Sequence, residues 1–202
     1  MKIQYLGHSC FKLISGKDSL VIDPYGDGSV DGLKRLRTQA TSVIYSHKHT
    51  DHYGLECVEL VDGNPDTFKV DFVQSWHDDQ QGALRGPNLI HVITCEGYRI
   101  AHFGDLGCSL NEDQKAQLLN IDVMMVPVGG HFTIDGEMAA NITREIGPKC
   151  VIPMHYRGKG FGFDVLSTVD QFTQHFDKVK EIGNILTVDD KMPAVAVMDF
   201  HE

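Results

Sequence analysis

The chain has 202 residues, near the upper end of a single domain, and its hydrophobic share of 42% and charged share of 23% are ordinary for a water-soluble fold. A formal net charge of -10 at pH 7 argues against a nucleic-acid surface, which wants a basic patch; the densest basic run, Lys34, Arg35 and Arg37, is short and reads as a solvated helix face. No stretch approaches eighteen apolar residues, and the start MKIQYLGHSC lacks the basic-then-apolar order of a signal peptide, so the expectation is a cytoplasmic protein with no membrane span.

Residues 2–6 and 10–14 are apolar and β-prone, split by Gly7, and Ser15 to Asp18 is a turn signal. Residues 19–22 form a third strand running into Asp23-Pro24, which completes an antiparallel meander. Residues 31–38 suggest a short helix. Residues 42–45 read as a buried strand ending at Ser46-His47, and 55–61 as a helix of one or two turns. A turn at 62–65 leads into a strand over 69–75 that ends at Trp76-His77. Residues 78–88 are polar and Gly-containing and read as a loop over or beside the candidate site. Residues 89–95 and 98–103 form a hairpin that ends at Gly104-Asp105.

The second half alternates helix and strand. Helices are expected over 112–119, 135–146 and 165–176, with Asp135 as a cap and Met138, Ile142 and Ile146 on one face. Strands are expected over 121–126 and 149–153, the latter ending near His155, and again over 178–182 and 193–199. No linker or low-complexity run divides the chain. One domain spanning 1–202 is expected, with two packed sheets and helices outside. The 5 Cys form no C-x-x-C spacing and read as free, mostly buried thiols of a reducing compartment.

The chemistry concentrates at His47-Lys48-His49-Thr50-Asp51-His52. Imidazole nitrogen and carboxylate oxygen ligate zinc and related metals, and the density of ligand types here exceeds what chance clustering gives. In an extended stretch His47 and His49 share a direction, and Asp51 and His52 can turn toward a second point. One short loop cannot complete two coordination spheres. His77, Asp105 and His155 each lie just past an expected strand end, so they are the candidates to complete them. Asp105, between glycines, suits a bridging carboxylate.

These residues make the sequence similar to the metallo-β-lactamase fold superfamily, whose H-x-H-x-D-H signature stands here as His47 to His52. The segments Leu6-Gly7-His8-Ser9-Cys10-Phe11, Gly86-Pro87-Asn88, Ala101 to Gly107, Pro127-Val128-Gly129-Gly130 and Ile152 to Tyr156 resemble the branch with ascorbate-phosphate lactonase-like proteins. The resemblance implies an α/β fold, a four-layer αβ/βα sandwich with the site at the sheet ends. It implies two divalent metal ions, zinc by default, with manganese, iron or nickel as alternatives. His47, His49 and His77 would hold the first, Asp51, His52 and His155 the second, and Asp105 would bridge them. It further implies a hydrolase in which hydroxide generated between the metals attacks a carbonyl carbon or phosphorus. Asp51 would bind metal and orient the hydroxide or take its proton. Related proteins are often homo-oligomers.

His8 and His131 are the further catalytic candidates, each following glycine at an expected strand end or loop. Arg85 and Arg157 are candidate contacts for an anionic small-molecule substrate, and Trp76 and Phe132 candidate cleft walls. Asp23, Asp78 and Asp79 are candidate carboxylates behind the ligand histidines. His102 either supports a ligand or fills a polar gap in the core, and His91, His175 and His201 read as structural or exposed. The bond cleaved stays open between an ester, a lactone and a phosphoester. A phosphodiesterase or nuclease with the same di-metal site, or a non-catalytic metal-binding protein, are the alternatives.

Overall fold

Three strands in antiparallel succession open the chain: β1 (Lys2–Gly7), β2 (Cys10–Ser15) and β3 (Asp18–Ile22). Their alternation is the sorting device. In the computed structural model, which describes residues 1–200, Ile3, Tyr5, Phe11, Leu13, Leu20 and Ile22 face inward, while Cys10 and Val21 face out. β5 (Ser42–Ile44) joins β3 in parallel, and β13 (Ile185–Thr187), which the sequence pattern does not signal, joins β1, closing a five-stranded sheet.

The second sheet has seven strands in the order β12 (Val179–Ile182), β14 (Val195–Met198), β11 (Cys150–Met154), β10 (Val123–Pro127), β9 (Tyr98–His102), β8 (Pro87–Cys95) and β7 (Lys69–Trp76). β10 and β11 are apolar throughout because both faces are covered. Met125 and Ile152 pack against the first sheet, and Met124, Val126 and Val151 pack under the outer helices. α1 (Glu112–Gln117) and α2 (Gly136–Ile146) lie on that outer face. Asp135 caps α2 as expected, accepting from the Met138 amide, and Gly147 ends it in the left-handed region. Ile142 and Ile146 are buried, but Met138 points to solvent; Ala139, Ala140 and Thr143 complete the buried face instead.

The outer face of the first sheet has no α-helix among the described residues. β4 (Thr38–Ala40) and β6 (Val58–Leu60) pair in parallel there, and Tyr25, Val30, Leu36, Cys57 and Val58 cover Cys10 and Val21. This corrects two expected helices. Of the expected 31–38, residues 31–37 stay irregular and Thr38 opens β4, because Gly32 takes φ 75° against the Gly160 carbonyl, where a Cβ has no room, and the Asp31 carbonyl is drawn to the Gly162 amide. Residues 55–61 give one 3-10 turn and then β6, because 58–60 find a strand partner in β4. The helix expected over 165–176 shrinks to α3 (Asp170–Thr173), since Ser167 is pinned to the Gly129 carbonyl and the Arg157 amide.

The two sheets are joined where the site lies. The His8 carbonyl accepts from the His155 amide at 3.2 Å, Ser46 O accepts from Leu89 N at 3.1 Å, and His102 Nε2 donates to Ser9 O at 2.9 Å. No helix of the described residues is long and apolar enough to cross a membrane. All five cysteines are free.

Candidate metal centre

Strand ends supply the site. His8 follows β1, Asp23 follows β3, His47 to His52 follow β5, His77 follows β7, Asp105 follows β9 and His155 follows β11. His8, Asp23 and His155 take φ of 55°, 48° and 53°, a conformation rarely held by non-glycine residues unless the surroundings impose it. The chain turns sharply off each strand and aims the side chain across the sheet ends. Gly107 lets two of these turns touch: its amide donates to the Trp76 carbonyl at 2.9 Å, and a Cβ there would meet the His77 backbone at 2.4 Å.

Asp105 is the centre. Its Oδ2 lies 3.1 Å from His52 Nε2, 3.2 Å from His155 Nε2, 3.3 Å from His77 Nε2 and 3.8 Å from His47 Nε2. On one side His47, His49 and His77 bring a nitrogen each within 4.8 Å of one another; on the other, a nitrogen each of His8, His52 and His155 and a carboxylate oxygen of Asp51 do so. His47 Nε2 and His49 Nδ1 are 3.1 Å apart. All seven residues expected as ligands therefore converge, and His8 joins the second group.

A tight carboxylate network sets the imidazole tautomers. Asp23 accepts from the Ser46 amide and hydroxyl, each at 2.6 Å, and from His52 Nδ1 at 2.8 Å. Ser46 Oγ, its proton given to Asp23, accepts from His47 Nδ1 at 2.9 Å. With Nδ1 so engaged, both histidines aim Nε2 toward Asp105, the nitrogen left for a metal. Asp23 is the carboxylate behind the ligands; Asp78 and Asp79 are not. The Asp78 carboxylate accepts the amides of Gln80, Gly82, Leu84 and Arg85, which fixes loop 78–86, and Asp79 is exposed. His102 is held by Ser9 O and the Gly104 amide and supports the floor of the site. Asn88, which lies in a segment that carries the resemblance but has no role implied by it, accepts the Asp105 amide at 2.9 Å and donates to Ser75 Oγ and Phe103 O.

Burial lowers the His47 pKa to about 3, with His52 adding to the effect, and burial also lowers His77. Both imidazoles are neutral and able to ligate. Burial opposes ionisation of Asp105, yet His155 and His52 hold its carboxyl well below the usual range; Asp51, opposed likewise, is lowered by His52 and His8. Burial also opposes the His52 cation, but Asp105, Asp51 and Asp23 together push its pKa well up. His52 Nε2, His155 Nε2 and Asp105 Oδ1 are buried with no hydrogen-bond partner among the described residues. Imidazole nitrogens and a carboxylate oxygen, buried together and left without partners, are the donor set a divalent cation satisfies, so these residues fit a metal centre.

The centre opens into a cleft of about 450 Å³ whose walls include Lys48, Thr50, Arg85, Phe132 and Phe163. Phe163, which no sequence signal marks, stands edge-on to His8 and to Phe132 at centroid distances of 5.7 and 5.9 Å. Three expected contacts lie elsewhere. His131 is exposed, its ring against Phe132 and outside both ligand groups, because Gly130 and its own φ of 57° turn it outward. Arg157 is used by the Leu166 carbonyl. Trp76 packs beneath Gly82 of the loop rather than lining the cleft. His91 is buried and His175 half-buried; His201 lies outside the described residues.

A two-sheet sandwich with histidines and aspartates gathered at its strand ends defines a metal-dependent hydrolase. The sequence family described as the Beta-lactamase superfamily domain matches residues 2–155. A UPF0173 metal-dependent hydrolase of Methanoculleus marisnigri is 31% identical over 188 residues, covering 77% of this chain and 81% of the relative. Another, of Thermococcus onnurineus, is 28% identical over 191 residues, covering 77% and 84%. The crystal structure of a candidate Zn-dependent hydrolase of the metallo-β-lactamase superfamily from Thermotoga maritima superposes with a TM-score of 0.77 at 32% identity, covering 98% of this chain and 97% of that one. The chain belongs to the metallo-β-lactamase superfamily.

Proposed function

We propose that the protein hydrolyses an ester, lactone or phosphoester bond of a small anionic molecule at a centre of two divalent metal ions. The observation that carries this reading is the position of Asp105, one carboxylate with three imidazole Nε2 atoms within 3.3 Å and a separate cluster on either side. His47, His49 and His77 would hold one ion, Asp51, His52 and His155 the other, and Asp105 both. Zinc suits these ligands, as do manganese, iron and nickel. Bound there, the ions supply Lewis acidity toward a substrate oxygen and a water acidic enough to ionise near neutral pH.

The chain's own groups do the rest. Asp51 is held ionised, and its Oδ2 stands 3.2 Å from His8 Nε2. Burial lowers the His8 pKa to about 4, so a neutral His8 donates from Nε2 and fixes the carboxylate. Asp51 orients the attacking water and takes its proton, which leaves His8 as a positioning residue. Phe132 and Phe163 exclude water from one side of the cleft, and Lys48 and Arg85 attract negative charge. A cleft of this size admits a small molecule, and two cations do not make a track for a nucleic-acid backbone.

The test is turnover by the purified protein on panels of esters, lactones and phosphate mono- and diesters in zinc and in manganese, beside Asp51→Ala. Metal-dependent turnover lost in the variant supports the reading and names the bond. No turnover on any panel in either metal refutes it.

A further inference from the structure

A second cleft, of about 490 Å³, adjoins the first, and Lys48, His49 and Arg85 line both. Its other walls include Tyr45, Pro87 and Leu89. The divider is charged, and beyond it the lining is mostly apolar, with Ser46, His47 and Gln74 as its polar members. Tyr45 stands edge-on to Tyr53 at 4.6 Å, and the Lys48 ammonium lies 5.9 Å from the Tyr53 ring. The Arg85 guanidinium lies 5.7 Å from the Phe132 ring, in the first cleft. Ion pairs of lysine and arginine side chains among the described residues engage Arg35, Arg37, Lys115 and Lys149; Lys48 and Arg85 have no carboxylate partner. Arg85 is also placed in advance, because its amide and three others of its loop are tied to Asp78.

We propose that the second cleft is the apolar subsite of an amphiphilic anion, whose charged group sits at the Lys48–Arg85 divider and whose alkyl or aryl group lies along Tyr45, Pro87 and Leu89. Charge selects the position and apolar contact selects the tail. The inference deepens the hydrolase reading and rests on it for the reacting bond, but the binding it predicts is measured without turnover.

Calorimetric titration of the protein, with the metal it carries, against methylphosphonate, hexylphosphonate and hexanol provides the test. Each fully buried methylene contributes about fourfold in affinity, and an open cleft retains part of that. Hexylphosphonate is expected to bind at least about tenfold tighter than methylphosphonate, and hexanol not measurably. Leu89→Ser, and independently Tyr45→Gln on the other wall, should cut that ratio to less than about threefold. Arg85→Gln should weaken both phosphonates about tenfold and preserve the ratio. A wild-type ratio near one, or a ratio untouched by both wall variants, overturns the subsite. A ratio near one on protein that holds metal and turns over substrate refutes the subsite alone. A tenfold ratio on protein that never turns over any panel substrate keeps the subsite and removes the hydrolase reading.

Discussion

His52 Nδ1 stands 2.8 Å from Asp23 Oδ2, with both side chains fully buried and Ser46 sharing the same carboxylate. One aspartate, outside both ligand groups, thereby sets the tautomers of His52 and, through Ser46, of His47. Asp23→Ala should lower metal affinity by about 10- to 100-fold, the usual cost of removing the carboxylate behind a ligand histidine. It should also cost the metal-free protein about 1–3 kcal/mol, because the Ser46 amide is left buried and unpaired. Competition with a chromophoric chelator measures the first effect and urea unfolding the second.

Gly104 is tested by adding one carbon. Its φ is 52°, and a Cβ would fall 2.3 Å from Asn88 Oδ1 and 2.5 Å from Ser46 Cβ. Asn88 holds the Asp105 amide, so the clash moves the Asp105 carboxylate itself. Gly104→Ala should destabilise the fold by about 1–3 kcal/mol and lower metal affinity together. Thermal unfolding with and without zinc reads both; an unchanged metal-induced stabilisation would count against the link.

His91 gives the fold a pH dependence separate from the ligands. Burial lowers its pKa to about 4 from 6.5. Between those values the unfolded chain takes up a proton that the folded chain excludes, so stability present above pH 6.5 is lost as pH falls toward 4. The difference between pH 7 and pH 5 amounts to about 2 kcal/mol. Urea unfolding of metal-free protein at both pH values, beside His91→Gln, checks it: the variant should lose about 2 kcal/mol less over the same interval.

Loop 78–86 should depend on Asp78. Its burial opposes ionisation, but four backbone amides hold its pKa down to about 2. Asp78→Ala frees those amides and the placement of Arg85 with them. Hydrogen exchange over 80–86 should rise at least about tenfold, with KM for an anionic substrate raised more than kcat is lowered.

The strands and the centre were legible in the sequence for local reasons. Alternation or continuous apolar runs bounded by turn residues place β1, β2, β3 and β7 to β11, and each candidate ligand outside the His47–His52 run follows one of them, so strand ends mark the site. The outer layer was not legible. Whether residues 31–38 coil into a helix depends on Gly160 and Gly162, far along the chain, and whether 58–60 extend depends on β4. The same holds for side chains that act at a distance. Nothing local separates Asp23 from Asp78, yet one holds His52 and the other a loop. Asn88 and Phe163 reach the site only through tertiary packing, and His131, beside two glycines like a site residue, is turned away by its own backbone.

On the proposed reading, Asp105 joins two metal sites. Elemental analysis of the reconstituted wild-type chain and of Asp105→Ala tests it most directly. Near two zinc or manganese ions per wild-type chain, falling below one in the variant, is the predicted result. One ion or none in the wild type, or two retained by Asp105→Ala, would contradict it.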